Sequence, residues 1–127
     1  MNRERGLKGV LMLVGLLFTA GIYPLATDLW NMAASDYGDD MMLSLYVTLG
    51  IFLLIAVRNP SAHRSLIAFA AWSSFAHGAV MARLAVHTAS ERAGLLTAVA
   101  VLVAISVTLI VLAPAKQSPV LAPAAAA

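Results

Sequence analysis

The residues that could do chemistry in this chain lie in one apolar stretch, which contains Ser73, His77 and, six residues later, Arg83. Ionisable groups inside a membrane are costly and usually face a partner or a cavity. Helical spacing places Ser73 and His77 on one face, with Arg83 about 9 Å farther along the axis at roughly 1.5 Å per residue. These residues are the candidates for a ligand-binding site, and we expect Arg83 to pair with Asp40 or Asp28, which lie at the ends of neighbouring apolar segments.

His77 admits three interpretations. It could bind a haem or a chlorophyll-type ring as an axial ligand. It could relay protons with an aspartate, or bind a small anion or a quinone-like head group together with Arg83. It could also donate a hydrogen bond to Ser73 or a facing carbonyl and serve only helix packing. We favour the packing role over the ligand or proton site, and we expect no cofactor, since the ring ligand is the weakest of the three.

Catalytic and metal-binding motifs are absent from the sequence. It has no H-x-x-x-H pair, no G-x-S-x-G elbow, no phosphate-binding loop and no cage of carboxylates within a helix. It contains no cysteine, which excludes disulfides, thiolate zinc sites and iron–sulfur clusters in this chain. We therefore predict no catalytic residues and no metal ligands, and an enzyme is not the favoured class.

The composition is that of a membrane protein. Of the 127 residues, 61% are hydrophobic and only 11% are charged, against about 25% charged in soluble domains. Mean hydropathy is +0.89. The basic residues flank apolar segments and form no long run, so they indicate membrane topology rather than nucleic-acid binding.

Four apolar segments are long enough to cross a bilayer as helices, which needs roughly 17–25 residues. They cover 7–26, 41–57, 65–82 and 94–113. We predict an all-α fold: one domain over 1–113 with four transmembrane helices running up-down-up-down, followed by a flexible Pro/Ala-rich tail over 114–127. A cleaved signal peptide is the alternative for the first segment, but its apolar core is longer than usual and no clean A-x-A site follows it.

The segment boundaries carry their own signals. Asn59 and Pro60 predict the cap and first turn of the third helix. The run 88–91, Thr-Ala-Ser-Glu, matches a capping box, so the fourth helix could begin near Ala89. Tyr23-Pro24 predicts a kink or exit in the first helix, and Asp39 and Asp40 favour the start of the second.

The distribution of Lys and Arg predicts the orientation. One side holds six basic residues and the other holds two, Arg83 and Arg92; the six are Arg3, Arg5, Lys8, Arg58, Arg64 and Lys116. The positive-inside rule therefore places both termini in the cytoplasm and the acidic first loop outside.

Small residues on the third helix predict a close helix–helix seam. They recur every fourth position, a spacing that lets backbones approach closely in lipid: Ala70, Ser74, Gly78 and Ala82. We expect the matching stripe on the fourth helix to be Ala100, Ala104 and Thr108.

The chain resembles a known type in several segments. These are Tyr23-Pro24 and the runs 42–46 (MLSLY), 58–60 (RNP), 63–66 (HRSL), 71–74 (AWSS) and 77–81 (HGAVM). With them it is similar to a bacterial family of small four-helix integral membrane proteins, a domain of unknown function. The resemblance covers most of the chain except its tail. It implies a four-helix architecture, a bacterial inner membrane and a place for Arg58, Trp72 and His77 in the family pattern, but no activity.

Two functional hypotheses follow. The favoured one is a non-catalytic, multi-pass protein of the bacterial inner membrane that acts as an accessory or scaffold subunit or associates with itself. Its expected partners are the lipid bilayer and a second copy or another membrane protein, with no nucleic acid. The alternative is a protein that handles a small ligand, protons or a cofactor around His77 and Arg83.

Overall fold

The structure, a computed structural model, describes residues 2–32 and 36–116. Five α-helices and one short 3₁₀ helix make up its regular structure. They are α1 (Asn2–Ala20), α2 (Ile22–Trp30), α3 (Tyr37–Ala56), the 3₁₀ helix Pro60–His63, α4 (Arg64–His87) and α5 (Arg92–Leu112). The helical segments Asn2–Trp30, Tyr37–Ala56, Pro60–His87 and Arg92–Leu112 are each long and apolar enough to cross a membrane. The tail beyond Lys116, predicted to be flexible, lies outside the described residues.

The first segment is longer than its apolar core and is broken at Gly21. Pro24 has no N–H to donate to the carbonyl of Ala20, so the regular ladder cannot continue across this point. The Gly21 N–H instead donates to Phe18 O at 3.1 Å, and the helix restarts at Ile22. The helix thus breaks a few residues before Tyr23-Pro24, where a kink or exit was predicted, and α2 continues to Trp30.

The other predicted helix boundaries agree with the structure only in part. Asn59 caps the 3₁₀ helix, its side chain accepting from the Ala62 N–H at 3.4 Å, as predicted. Asp36 caps α3, whose first turn contains Asp39 and Asp40. The capping-box prediction is wrong: α5 begins at Arg92, and no side-chain hydrogen bond caps it. Residues 88–91 instead form the turn between α4 and α5.

The helices form two hairpins, α1 with α3 and α4 with α5, and α3 and α4 touch each other only slightly. In the first hairpin Gly15 lies beside Gly50 and Leu54, whereas Gly21 lies beside Leu43, so the two helices run in opposite directions. The buried core joins the hairpins. Each of the four long helices supplies one large, fully buried aliphatic side chain to it: Leu11, Leu53, Ile67 and Leu109.

Candidate functional site

An apolar groove of about 530 Å³ runs between α3 and α4, where the hairpins make little contact. Its walls are aliphatic and aromatic, with the polar groups of Tyr46, Thr48, Ser73 and His77 as the exceptions. The remaining lining residues are Met42, Leu45, Leu49, Phe52, Leu66, Phe69, Ala76 and Val80. Small-molecule sites are commonly clefts of about 300–1,000 Å³ with mostly apolar walls and a few polar groups. The groove has this character.

His77 lies near the middle of α4 and is half-buried. Its ring centroid is 5.4 Å from that of Tyr46 on α3, at an interplanar angle of 58°. Tyr46 in turn meets Phe18 of α1 edge to face, with centroids 4.8 Å apart. These three rings form a row that connects α1, α3 and α4 halfway along the bundle. His77 and Tyr46 also line a second cleft of about 320 Å³ between the hairpins, so they separate the two spaces.

The imidazole of His77 forms no hydrogen bond with any residue in the described part of the chain. The bond to Ser73 that the packing role predicted does not form in the described structure, where Ser73 Oγ donates to the carbonyl of Ala70, one turn back, at 3.3 Å. Ser74 Oγ is fully buried and has no hydrogen-bond partner among the described residues. The ring nitrogens of His77 therefore have no hydrogen-bond partner among the described residues, and the ring is not fully buried.

The structure brings Ser73 and His77 together in the groove and leaves the charged candidates outside it. Arg83 is exposed and does not line the groove. Its predicted pairing with Asp40 or Asp28 is wrong for this structure, since the one salt bridge among residues 2–32 and 36–116 joins Lys8 to Glu4 at 2.9 Å. Asp40 is buried in the first turn of α3, and its Oδ2 has no hydrogen-bond partner there.

The small-residue stripe of α4 packs against α5. Ala70 and Ser74 are fully buried, Gly78 is buried, and Ala82 is half-buried. A Cβ on Gly78 would lie 3.6 Å from Leu102 Cβ, an ordinary contact. The predicted matching stripe is wrong, because the buried face of α5 consists of Leu102, Ile105, Ser106 and Leu109. Ala100 and Ala104 are exposed, and Ala104 and Thr108 line a cleft toward α1 instead.

The closest helix crossing lies elsewhere, between α1 and α3. A Cβ on Gly50 would stand 2.7 Å from the Thr19 nitrogen and 2.8 Å from the Gly15 carbonyl oxygen. A Cβ on Gly15 would stand 2.8 Å from Leu54. This crossing was not predicted, although Gly15 and Gly50, each inside an apolar segment, were the available signal.

Arginine side chains donate to the free carbonyls at the C-terminal ends of two helices, whereas the sequence predicted only a topology signal from them. Arg3 Nη2 donates to the carbonyls of Val111 and Ala113, at 2.8 and 3.1 Å, where α5 ends. Arg92 Nε donates to Ala85 O at 3.0 Å, in the last turn of α4. The last carbonyls of a helix have no partner within it, and a cation there also complements the helix dipole.

Comparison with known proteins gives a family and no activity. No curated protein and no solved structure matches the chain. A family model described as a family of unknown function, DUF6632, matches residues 5–123 and so spans all four apolar segments. The chain therefore belongs to the DUF6632 family.

Proposed function

We propose that this protein is a non-catalytic, multi-pass membrane protein that binds a lipid-soluble molecule with a polar head in the groove between α3 and α4. The observation that carries this proposal is His77, a half-buried imidazole without a hydrogen bond to the described residues, on the wall of an apolar groove. A neutral imidazole has one donor and one acceptor nitrogen. Leaving such a group unsatisfied is costly, so a ligand head that bonds it gains binding energy.

The shape and chemistry of the groove define the ligand class. The walls supplied by Leu45, Phe52 and Phe69 suit an acyl, isoprenoid or aromatic body, and the polar head belongs at His77, beside Tyr46. The groove is open along its side, so a molecule can enter from the hydrocarbon layer. Arg83 has no part in this proposal, because it lies outside the groove lining.

The same proposal places the protein in the bacterial inner membrane with both termini in the cytoplasm. The end of the bundle where Arg3 meets Val111 and Ala113 also holds Arg64, whose Nε donates to Pro114 O at 3.0 Å. This is the end with six of the eight basic residues. The positive-inside rule makes it the cytoplasmic end.

Copurification tests the ligand. The wild type, His77→Phe and His87→Phe would be purified in mild detergent, and bound small molecules identified by mass spectrometry. Phenylalanine keeps a ring against Tyr46 and removes the nitrogens, whereas His87 is exposed at the end of α4 and serves as the control. We expect one lipid-soluble compound with the wild type and His87→Phe, and its loss from His77→Phe without a change in the helical circular-dichroism spectrum. Equal retention in all three variants, or no compound in any, would contradict the proposal.

A second candidate function, an accessory or self-associating bundle, is supported by the slight contact between α3 and α4. A helix of a second copy or of another membrane protein could fill the same groove. Ala76→Phe projects a ring into this space and separates the two cases when native masses are measured. If this variant breaks a dimer or a complex while the wild type carries no small molecule, association is the function. A visible absorption spectrum of the same samples reports any ring cofactor bound through His77.

A further inference from the structure

The two ends of the bundle carry opposite net charges. The end near the N-terminus of α1 and the C-terminus of α5 holds six basic residues and one acidic residue, Glu4, a net charge of +5. The opposite end holds five acidic residues and two basic ones, Arg83 and Arg92, a net charge of −3. We call the first of these the basic end; its cations are Arg3, Arg5, Lys8, Arg58, Arg64 and Lys116.

Half of the cations at the basic end have no partner among the described residues. Arg5, Arg58 and Lys116 are exposed and form no hydrogen bond or ion pair with the residues that the structure describes. Lys8 is compensated by Glu4 at 2.9 Å. Free cations at the surface of a membrane span are available to the phosphates of the leaflet.

The other two cations are fixed at the boundary between apolar and polar surface. Arg3 and Arg64 each donate to backbone carbonyls around the end of α5, which holds their guanidinium groups in place. Arg3 also lines a cleft of about 350 Å³ together with Leu7, Ser61 and Leu112. Leucines beside an arginine provide an apolar surface for an acyl chain next to a charge for a phosphate. Glu4 lines this cleft too, with its charge compensated by Lys8.

We propose that the basic end binds the phosphate-bearing headgroups of anionic lipids. Arginine suits this role because its planar guanidinium matches phosphate oxygens through two parallel hydrogen bonds. The proposal is independent of the groove at His77, which lies halfway along the bundle and is apolar.

Lipid retention tests this proposal. The wild type, Arg58→Gln and Arg83→Gln would be placed in nanodiscs of phosphatidylcholine with one third phosphatidylglycerol, then released and examined by native mass spectrometry. Arg58 and Arg83 are both exposed and lie at opposite ends, so Arg83→Gln controls for the loss of one charge. We expect phosphatidylglycerol to be enriched on the wild type and on Arg83→Gln, and its retention to fall about twofold in Arg58→Gln.

Two results would overturn the proposal. One is retention of the two lipids in their bulk ratio on the wild type. The other is an equal loss in both variants, which would make the effect one of total charge.

A second experiment identifies the source of the phosphate by adding millimolar inorganic phosphate to the protein in pure phosphatidylcholine nanodiscs. If it raises the melting temperature as much as phosphatidylglycerol does, the site takes free phosphate and the lipid assignment is wrong.

Discussion

Replacing Gly50 by alanine is the most direct test of how the bundle packs. The added Cβ would stand 2.7 Å from the backbone nitrogen of Thr19 and 2.8 Å from both Gly15 O and Phe18 Cβ. None of these is the far end of a flexible side chain, so relief requires α1 and α3 to move apart by about 0.7 Å, to the 3.4 Å of ordinary contact.

The expected magnitude follows from two opposing effects. Overpacking costs about 1–3 kcal/mol, and the rigid neighbours of Gly50 place it toward the upper figure. Alanine recovers about 1 kcal/mol through its higher helix propensity. We therefore expect Gly50→Ala to lower the free energy of unfolding by about 2 kcal/mol.

Two other glycines supply matched controls. At Gly78 the nearest atoms to a new Cβ are Leu102 Cβ at 3.6 Å and Val103 Cγ2 at 3.9 Å, and at Gly9 nothing lies within 4 Å. Neither change is obstructed, so Gly78→Ala and Gly9→Ala should be neutral or stabilising by up to about 1 kcal/mol. The quantity to measure is the difference in the free energy of unfolding between Gly50→Ala and these two controls.

The assay is unfolding of the purified protein from mild detergent by increasing sodium dodecyl sulfate, followed by far-ultraviolet circular dichroism. Tryptophan fluorescence is the poorer probe, because Trp30 and Trp72 are 88% and 61% exposed and report little on the core. If Gly50→Ala were as stable as Gly78→Ala, α1 and α3 would not cross at Gly50, and the packing argument would be refuted.

Three further predictions concern the helix ends, the buried hydroxyls and the orientation. Arg92→Gln should destabilise the protein by about 1 kcal/mol, because it loses the charged hydrogen bond to Ala85 O, whereas Arg83→Gln should change little; equal melting curves for the two would contradict the capping role. Ser74→Ala should be neutral or stabilising by up to about 1 kcal/mol, since it removes a buried hydroxyl that has no partner in the described structure; a clear loss of thermal stability would reveal a bond to Ser74 Oγ. A reporter that works only in the periplasm, fused to the C-terminus, should give no signal, and strong activity would refute the cytoplasmic placement of that end.

Two residues of the candidate site, Ser73 and His77, could be located from the sequence, but the rest of its lining could not. The spacing of Ser73 and His77 predicted that they share one helix face, and both line one groove in the structure. Arg83 was expected to join them because it is near in sequence. Six residues along a helix turn the side chain of Arg83 well away from that of His77. Which of these faces lines the groove depends on how α4 packs against its neighbours.

The sequence by itself determined the four apolar segments and their approximate limits. Length and hydropathy suffice for this, because a backbone in lipid must satisfy its hydrogen bonds within the helix. Local signals likewise located the cap at Asn59 and the break near Pro24, since their causes lie within a few residues. Spacing of four, a property of one helix, places Ala70, Ser74 and Gly78 on one buried face of α4, whereas the close helix approach expected there lies at Gly50.

Only the tertiary structure decided which helices pair and which faces meet. The four long apolar helices carry few polar residues on any side, so no polar face distinguishes the outer surface of a helix from its inner one. The pairing of α1 with α3 depends on the fit of Gly15 to Gly50, which are 35 positions apart in the sequence. The buried face of α5 and the carbonyls held by Arg3 and Arg92 depend likewise on contacts across the fold. Shape complementarity between distant segments selects these contacts, and the residue pattern within one segment does not predict it.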